Sequence, residues 1–154
     1  MGMFKEFMVK GDRAKYGLSS RVRIASVLIA VLLLIATVLV IVSFGLYPAI
    51  PLLAVALALL VLALYRDEWI FDNRQKLLGD VLGWIVPSAV REFNYKDMDG
   101  LEVSSFQDGA KKRYTLAFIL KKDGTRIDIE DSRNEEKLKD LALKIAGFTG
   151  LRFY

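Results

Sequence analysis

The chain has 154 residues with no Cys and no His, and carries 22 basic against 18 acidic side chains. Without Cys and His, disulfides, thiol nucleophiles, imidazole bases and the usual zinc or haem ligand sets are excluded. The charge is unevenly placed: residues 1–23 hold six basic and two acidic side chains, whereas from Arg66 onward sixteen face sixteen. A basic excess confined to the flank of an apolar stretch marks a membrane border, not a nucleic-acid-binding surface.

Residues 1–21 read as a basic cytosolic N-terminal segment. Its start, "MFKEFMVK", is either a short interfacial helix, with Phe4, Phe7 and Met8 on lipid, or a frayed basic terminus. Ile24 to Tyr65 then runs for 42 residues without a charged side chain. One span needs about 20 apolar residues, so this length suits two. The break falls at "SFGLYPAIP", where Gly45, Pro48 and Pro51 supply turn chemistry. The expected transmembrane hairpin covers 22–66, with helices at about 22–44 and 49–66 and Pro51 in the first turn of the second. Basic flanks and an uncharged tip place both termini in the cytoplasm, as a two-span protein of the inner membrane. Inside the flanking Arg23, Tyr65 and Arg66, neither span holds an ionisable residue, so a self-contained ion or proton pathway is not expected. The run "LLAVALALLVLAL" offers small residues for helix packing, although lipid-facing filler is the commoner meaning.

Residues 67–154 change period. "EWIFD", "DNRQ" and "KLLGDVLGWIV" read as strand, turn and strand, with Pro87 ending the second. "AVREFNY" and "LEVSSF" are two further strands. "KRYTLAFIL" puts Tyr114, Leu116, Phe118 and Leu120 on one face, and "KKDGT" turns the chain into a strand carrying Ile127 and Ile129. Ser132 and Glu135 have the spacing of a capping box, and Leu138, Leu141, Ala142 and Ile145 follow helical spacing toward Gly147 or Gly150. Five or six strands with one terminal amphipathic helix predict a small cytosolic α+β domain whose helix covers the apolar face of a curved antiparallel sheet.

The opening hairpin "WIFDNRQKLL", the turn and strand "FNYKDMDGLEV", and the stretch "KRYTLAFILKKDGTRIDIEDSRNEE" resemble a pleckstrin-homology-like half-barrel. The whole layout is similar to the photosystem I assembly protein family and to bacterial membrane proteins with a two-helix hairpin and a pleckstrin-homology-like domain. That resemblance implies a non-enzymatic, membrane-tethered scaffold, assembly factor or accessory subunit. It would meet a membrane-protein partner or a second copy of itself, with no cofactor. The six countable strands are one fewer than a full pleckstrin-homology domain has.

Three basic spots are candidate contacts for anionic headgroups or a partner: Arg74 with Lys76; Lys111, Lys112 and Arg113; and Lys121 with Lys122, near Arg126. The resemblance directs attention to the first hairpin, where Arg74 and Lys76 would touch headgroups of membrane lipid. The commoner meaning of such residues is solubility at turns. Asp97 and Asp99, and Asp128, Glu130 and Asp131, invite an acid–base or cation-binding reading. Solvated turn and strand positions are the expected account, with Asp128 and Glu130 sharing a solvent face. No catalytic or metal-binding residue is therefore assigned. Trp69 and Trp84 are expected in the core or at the bilayer surface rather than against a ligand.

Overall fold

The computed structural model describes residues 5–83 and 87–154, with the side chains of 87–89 left aside. Trp84 lies outside the described residues. The described chain is α+β, with two sheets and three α-helices. Two N-terminal strands, β1 (Lys5–Lys10) and β2 (Arg13–Leu18), precede helix α1 (Ser20–Phe44). A single 3-10 turn, Tyr47–Ala49, leads into α2 (Ile50–Leu64), with Pro51 in its first turn. Next come β3 (Arg66–Asp72), β4 (Leu77–Gly83), β5 (Pro87–Asn94), β6 (Met98–Asp108), β7 (Lys111–Leu120) and β8 (Arg126–Ser132). Helix α3 (Glu135–Thr149) and a two-residue strand, β9 (Arg152–Phe153), end the chain.

The N-terminal segment corrects the sequence reading. Residues 5–18 are neither an interfacial helix nor a frayed terminus; they form a β-hairpin at the edge of a five-stranded antiparallel sheet in the order β1-β2-β3-β4-β5. Strand β2 pairs directly with β3, Tyr16 opposite Trp69 and Arg13 opposite Asp72. The sheet unit is therefore assembled from residues 5–18 and from Arg66 onward, with the helical pair inserted between two neighbouring strands. Its sequence signal was masked because the partner strand lies beyond both helices, more than fifty residues away.

The second sheet has the order β8-β7-β6-β9, antiparallel except for the β6–β9 pair. Gly100 permits that last pairing, since a Cβ there would lie 2.7 Å from the Arg152 carbonyl and 2.6 Å from the Tyr154 ring. The two inner faces share one core. Trp69, Phe71 and Leu78 from the first sheet meet Leu101, Leu116 and Phe118 from the second, and α3 adds Leu138, Leu141, Ala142 and Ile145. Trp69 packs against Phe118 with ring centroids 6.0 Å apart, so this tryptophan is a core residue. Phe7 of β1 sits edge-on to both Phe71 and Phe148, which ties the N-terminal hairpin to α3.

Helix α3 starts later than the capping box implies. Its cap is Asn134, whose side chain accepts a hydrogen bond from the Lys137 amide at 3.1 Å, while Ser132 ends β8. Gly150 closes the helix in the left-handed conformation, as expected.

Ser20–Phe44 and Tyr47–Leu64 are each long and apolar enough to cross a membrane. They pack on each other through small side chains. Ser26, Ala30 and Thr37 of α1 are buried, as are Ala49, Ala56 and Ala63, which recur every seven residues along the second helical segment. Part of the Ala-rich run is thus an interhelical seam. Thr37 meets its own polar requirement by donating to the Leu33 carbonyl at 2.7 Å.

The topology makes a direct prediction. Residues 67–154 alone lack two strands and should give a poorly dispersed amide spectrum and no cooperative melt. A chain in which a short Asn-Gly turn replaces residues 19–65, joining β2 to β3, should give a dispersed spectrum and a cooperative transition. The reverse outcome would show that the N-terminal hairpin is dispensable.

Candidate functional site at the helix–sheet junction

Because β2 runs into α1 and β3 runs out of α2, one end of the first sheet faces the helices and the other faces away. Arg66, Leu18 and Lys5 mark the helix-side end, and Asp72, Arg13 and Lys10 the far end. The Asn73 amide donates to the Asp12 carbonyl at 2.8 Å, joining the two far-end turns.

This polarity sorts the candidate residues. Arg74 and Lys76 sit in the β3–β4 turn, roughly 20 Å along β3 from Arg66 at about 3.3 Å per residue. They sit at the end of the sheet away from the helical pair. Lys76 has a local role: its backbone is left-handed (φ 56°), and its ammonium donates to Asn73 Oδ1 at 2.7 Å. Asp72 organises the same turn by accepting from the Arg74 and Gln75 amides at 3.0 and 2.9 Å. The Gln75 amide first, and then Arg13, hold its carboxyl below the ordinary range. Lys121 and Lys122 are also at the far end, where the Lys121 amide donates to the Asp97 carbonyl. Lys111, Lys112 and Arg113 instead lie on the β6–β7 hairpin at the helix-side end, beside an exposed Phe106.

The N-terminal cations are drawn into the fold. Lys15 pairs with Glu68 at 2.6 Å, and Arg23 of the first turn of α1 hydrogen-bonds the same carboxylate. Glu68 is only 4% exposed. Gly17 provides the room, because a Cβ there would fall 2.9 Å from Glu68 Cγ. Arg13 pairs with Asp72 at 2.8 Å. Lys5 bridges Asp67 at 2.8 Å and Glu130 at 3.1 Å, joining edge strand β1 of one sheet to edge strand β8 of the other. Four of the six cations in residues 1–23 are thus matched to carboxylates of β3 and β8.

Glu130 is the residue that sequence reasoning misplaced. It is buried, whereas Asp128 is exposed. Between them the pairing shifts: Ala117 faces Asp128 but Leu116 faces Glu130, leaving Ile129 as the extra residue of a β-bulge. A bulge breaks the two-residue alternation and turns the following side chain to the other face. Asp131 accepts from the Thr115 hydroxyl at 2.5 Å, and Asp99 accepts from the Tyr154 hydroxyl at 3.0 Å.

Beside the helix bases these elements line a partly open cavity of about 540 Å³. One part of its wall is apolar, from Leu18, Val22, Leu62 and Tyr65. The other part is charged, from Lys5, Asp67, Arg113, Glu130 and Asp131, with Ser26 on α1. Arg113 contacts Asp108 through Nη1 at 3.1 Å, while its Nε is buried without a hydrogen-bond partner among the described residues.

No protein-family model matches the chain, and no curated protein matches it. The chemistry of the junction therefore has to be read from its own residues.

Burial opposes the Lys5 charge, but the Asp67 hydrogen bond and the two neighbouring carboxylates outweigh it, so its pKa is raised above 10.5. Burial first, and then Glu130, raise the Tyr16 phenol above its ordinary 10.0. In both cases the folded chain holds a proton that the unfolded chain releases, so stability falls as pH rises. Thermal unfolding should show stability declining above about pH 10, and Tyr16→Phe should make that decline shallower. An unchanged slope would remove Tyr16 from this linkage. At neutral pH, Glu68→Ala leaves Arg23 and Lys15 without their shared carboxylate. Both cations retain some solvent contact, so the expected cost is about 2–3 kcal/mol, below that of a fully buried broken pair. Chemical denaturation of the full chain in detergent measures it.

Proposed function

We propose that α1 and α2 cross the inner membrane as a hairpin, with both termini cytoplasmic, and that the sheet unit is a non-enzymatic docking surface. In this reading the protein is a scaffold, assembly factor or accessory subunit that presents a rigid cytosolic face to a larger membrane complex. The observation that carries it is the insertion of the helical pair between two hydrogen-bonded strands. The ends of β2 and β3 lie side by side, so a helical pair joined to them leaves and returns on one side of a bilayer. Arg21, Arg23 and Arg66 at the helix ends favour the cytoplasm for that side. With almost no linker and an ion pair fixing α1 to β3, the unit is held in one orientation, which suits a surface that has to be met by a neighbour in the membrane.

The layout of β2 to β5 in one sheet, β6 to β8 in the other and a closing C-terminal helix supports the pleckstrin-homology-like reading. The strand missing from the sequence count would then be β2, with β1 an addition before it. The similarity to the photosystem I assembly family is a matter of a helical hairpin plus a domain, and no photosynthetic role is proposed. A second reading, anionic-lipid sensing, is favoured by Lys111 and Lys112 beside exposed Phe106 at the helix-side end.

The absence of native Cys makes topology directly measurable. A single cysteine at Leu46 should react with an impermeant maleimide in intact cells, and one at Lys122 only after permeabilisation. In mild detergent the native protein should elute as a stoichiometric complex or homo-oligomer. Recovery only as a lone monomer across several detergents argues against the docking function, and labelling at Lys122 from outside inverts the topology.

A further inference from the structure

We propose that the junction cavity binds one phospholipid whose headgroup carries both a phosphate and a primary amine, taken from the surrounding cytoplasmic leaflet. The inference rests on the reading that α1 and α2 span the bilayer. The two-part wall matches an amphiphile, with Val22 and Leu62 on the helices and the charged side chains on the sheet unit. The volume of about 540 Å³ is in the range of small-molecule sites.

The charges select the headgroup. Two cations, Lys5 and Arg113, stand against three carboxylates, Asp67, Glu130 and Asp131, so the lining is formally −1. A headgroup bringing only negative charge would face that excess, which disfavours it. Lys5 is already engaged by Asp67 and Glu130, so the cation left to meet a phosphate is Arg113, whose guanidinium is one-third exposed (33%) and is tied to the exposed Asp108 through Nη1. The surplus carboxylate lies with Asp131, which is exposed and among the described residues carries only a hydroxyl hydrogen bond from Thr115. Register places Asp131 opposite Thr115, two residues from Arg113 on the neighbouring strand, so the two groups stand diagonally on one face. A primary ammonium donates hydrogen bonds to such carboxylates. A quaternary ammonium cannot, and is recognised by aromatic cages, whereas among the described residues Tyr65 is the one aromatic residue lining this cavity.

The test uses the full-length protein in mild detergent, with phosphatidylethanolamine, phosphatidylcholine or phosphatidylglycerol of identical acyl chains added in turn. Native mass spectrometry should show one phosphatidylethanolamine retained, about tenfold over the other two. Asp131→Asn leaves the Lys5 bridge in place and keeps an acceptor for Thr115, and should reduce that preference several-fold. Leu62→Trp should fill the apolar part and displace the lipid without touching a charge. Equal retention of the three lipids, preference for phosphatidylglycerol, or phosphatidylethanolamine retention unchanged in both variants would overturn the proposal. Recovery of the protein from cells in the aqueous fraction without detergent would instead overturn the membrane reading beneath it. A membrane-integrated protein indifferent to headgroup overturns only the lipid site.

Discussion

Glu68 is the point at which the helical and sheet parts of this protein become one object. Its carboxylate is buried at the start of β3, takes Lys15 from β2, and takes Arg23 from the first turn of α1. A carboxylate in that position without cations would be costly, and cations at a helix base without a carboxylate would seek water or headgroups. Together they fix the angle at which α1 leaves the sheet. Gly17 is part of the same arrangement, because any larger residue on β2 would occupy the space of the Glu68 side chain. The Lys5 bridge has a parallel role one strand outward, closing the seam between the two sheets with ion pairs where no backbone ladder exists.

The same pairings reinterpret the basic N-terminal flank. A cluster of cations before an apolar run has the composition of a topological signal, and such a signal acts during insertion, when the chain is still extended. In the folded chain Lys5, Arg13, Lys15 and Arg23 are matched to acids lying beyond both helices. Under the proposed membrane topology, one set of residues would serve two successive tasks. The neutral balance after Arg66 conceals the matching, since the acids that answer the N-terminal cations are counted there with their own local cations.

Much of the fold was legible because its signals are local. The alternation that buries Leu116 and Phe118, the breakers at Gly45 and Pro48, and the Gly150 cap each act within a few residues. The β1–β2 hairpin was not legible for the opposite reason. "KEFMVK" and "RAKYGL" are short and carry five charged residues in twelve, and the surface that Phe7 and Tyr16 cover is made by Phe71, Phe148 and Trp69 far along the chain. Glu130 failed through a single bulge residue, Ile129, which reverses the alternation that had placed it in solvent. Arg74 and Lys76 were legible as a turn but not as a remote one, because the end of the sheet they occupy depends on which strands the helices enter. Of the candidate cations, only Arg113 lines the cavity, and nothing in "KKR" distinguishes it from its neighbours.

Inserting two long helices between adjacent strands has a mechanical consequence. In a domain attached through one flexible linker, tilting of the anchor leaves the domain unaffected. Here the α1 and α2 bases are held at the spacing of two paired strands, and the small-residue seam of Ala49, Ala56 and Ala63 against Ser26, Ala30 and Thr37 keeps the pair close above them. Any splay between the helices has to be taken up at their lower ends, where Leu18, Val22, Leu62 and Tyr65 wall the cavity and Glu68 pins α1. A bound molecule at that place would meet both helices and both sheet edges at once. Under the proposed lipid site, occupancy of the cavity would favour whichever relative orientation of helices and sheet unit the ligand fits better, because it would touch both parts.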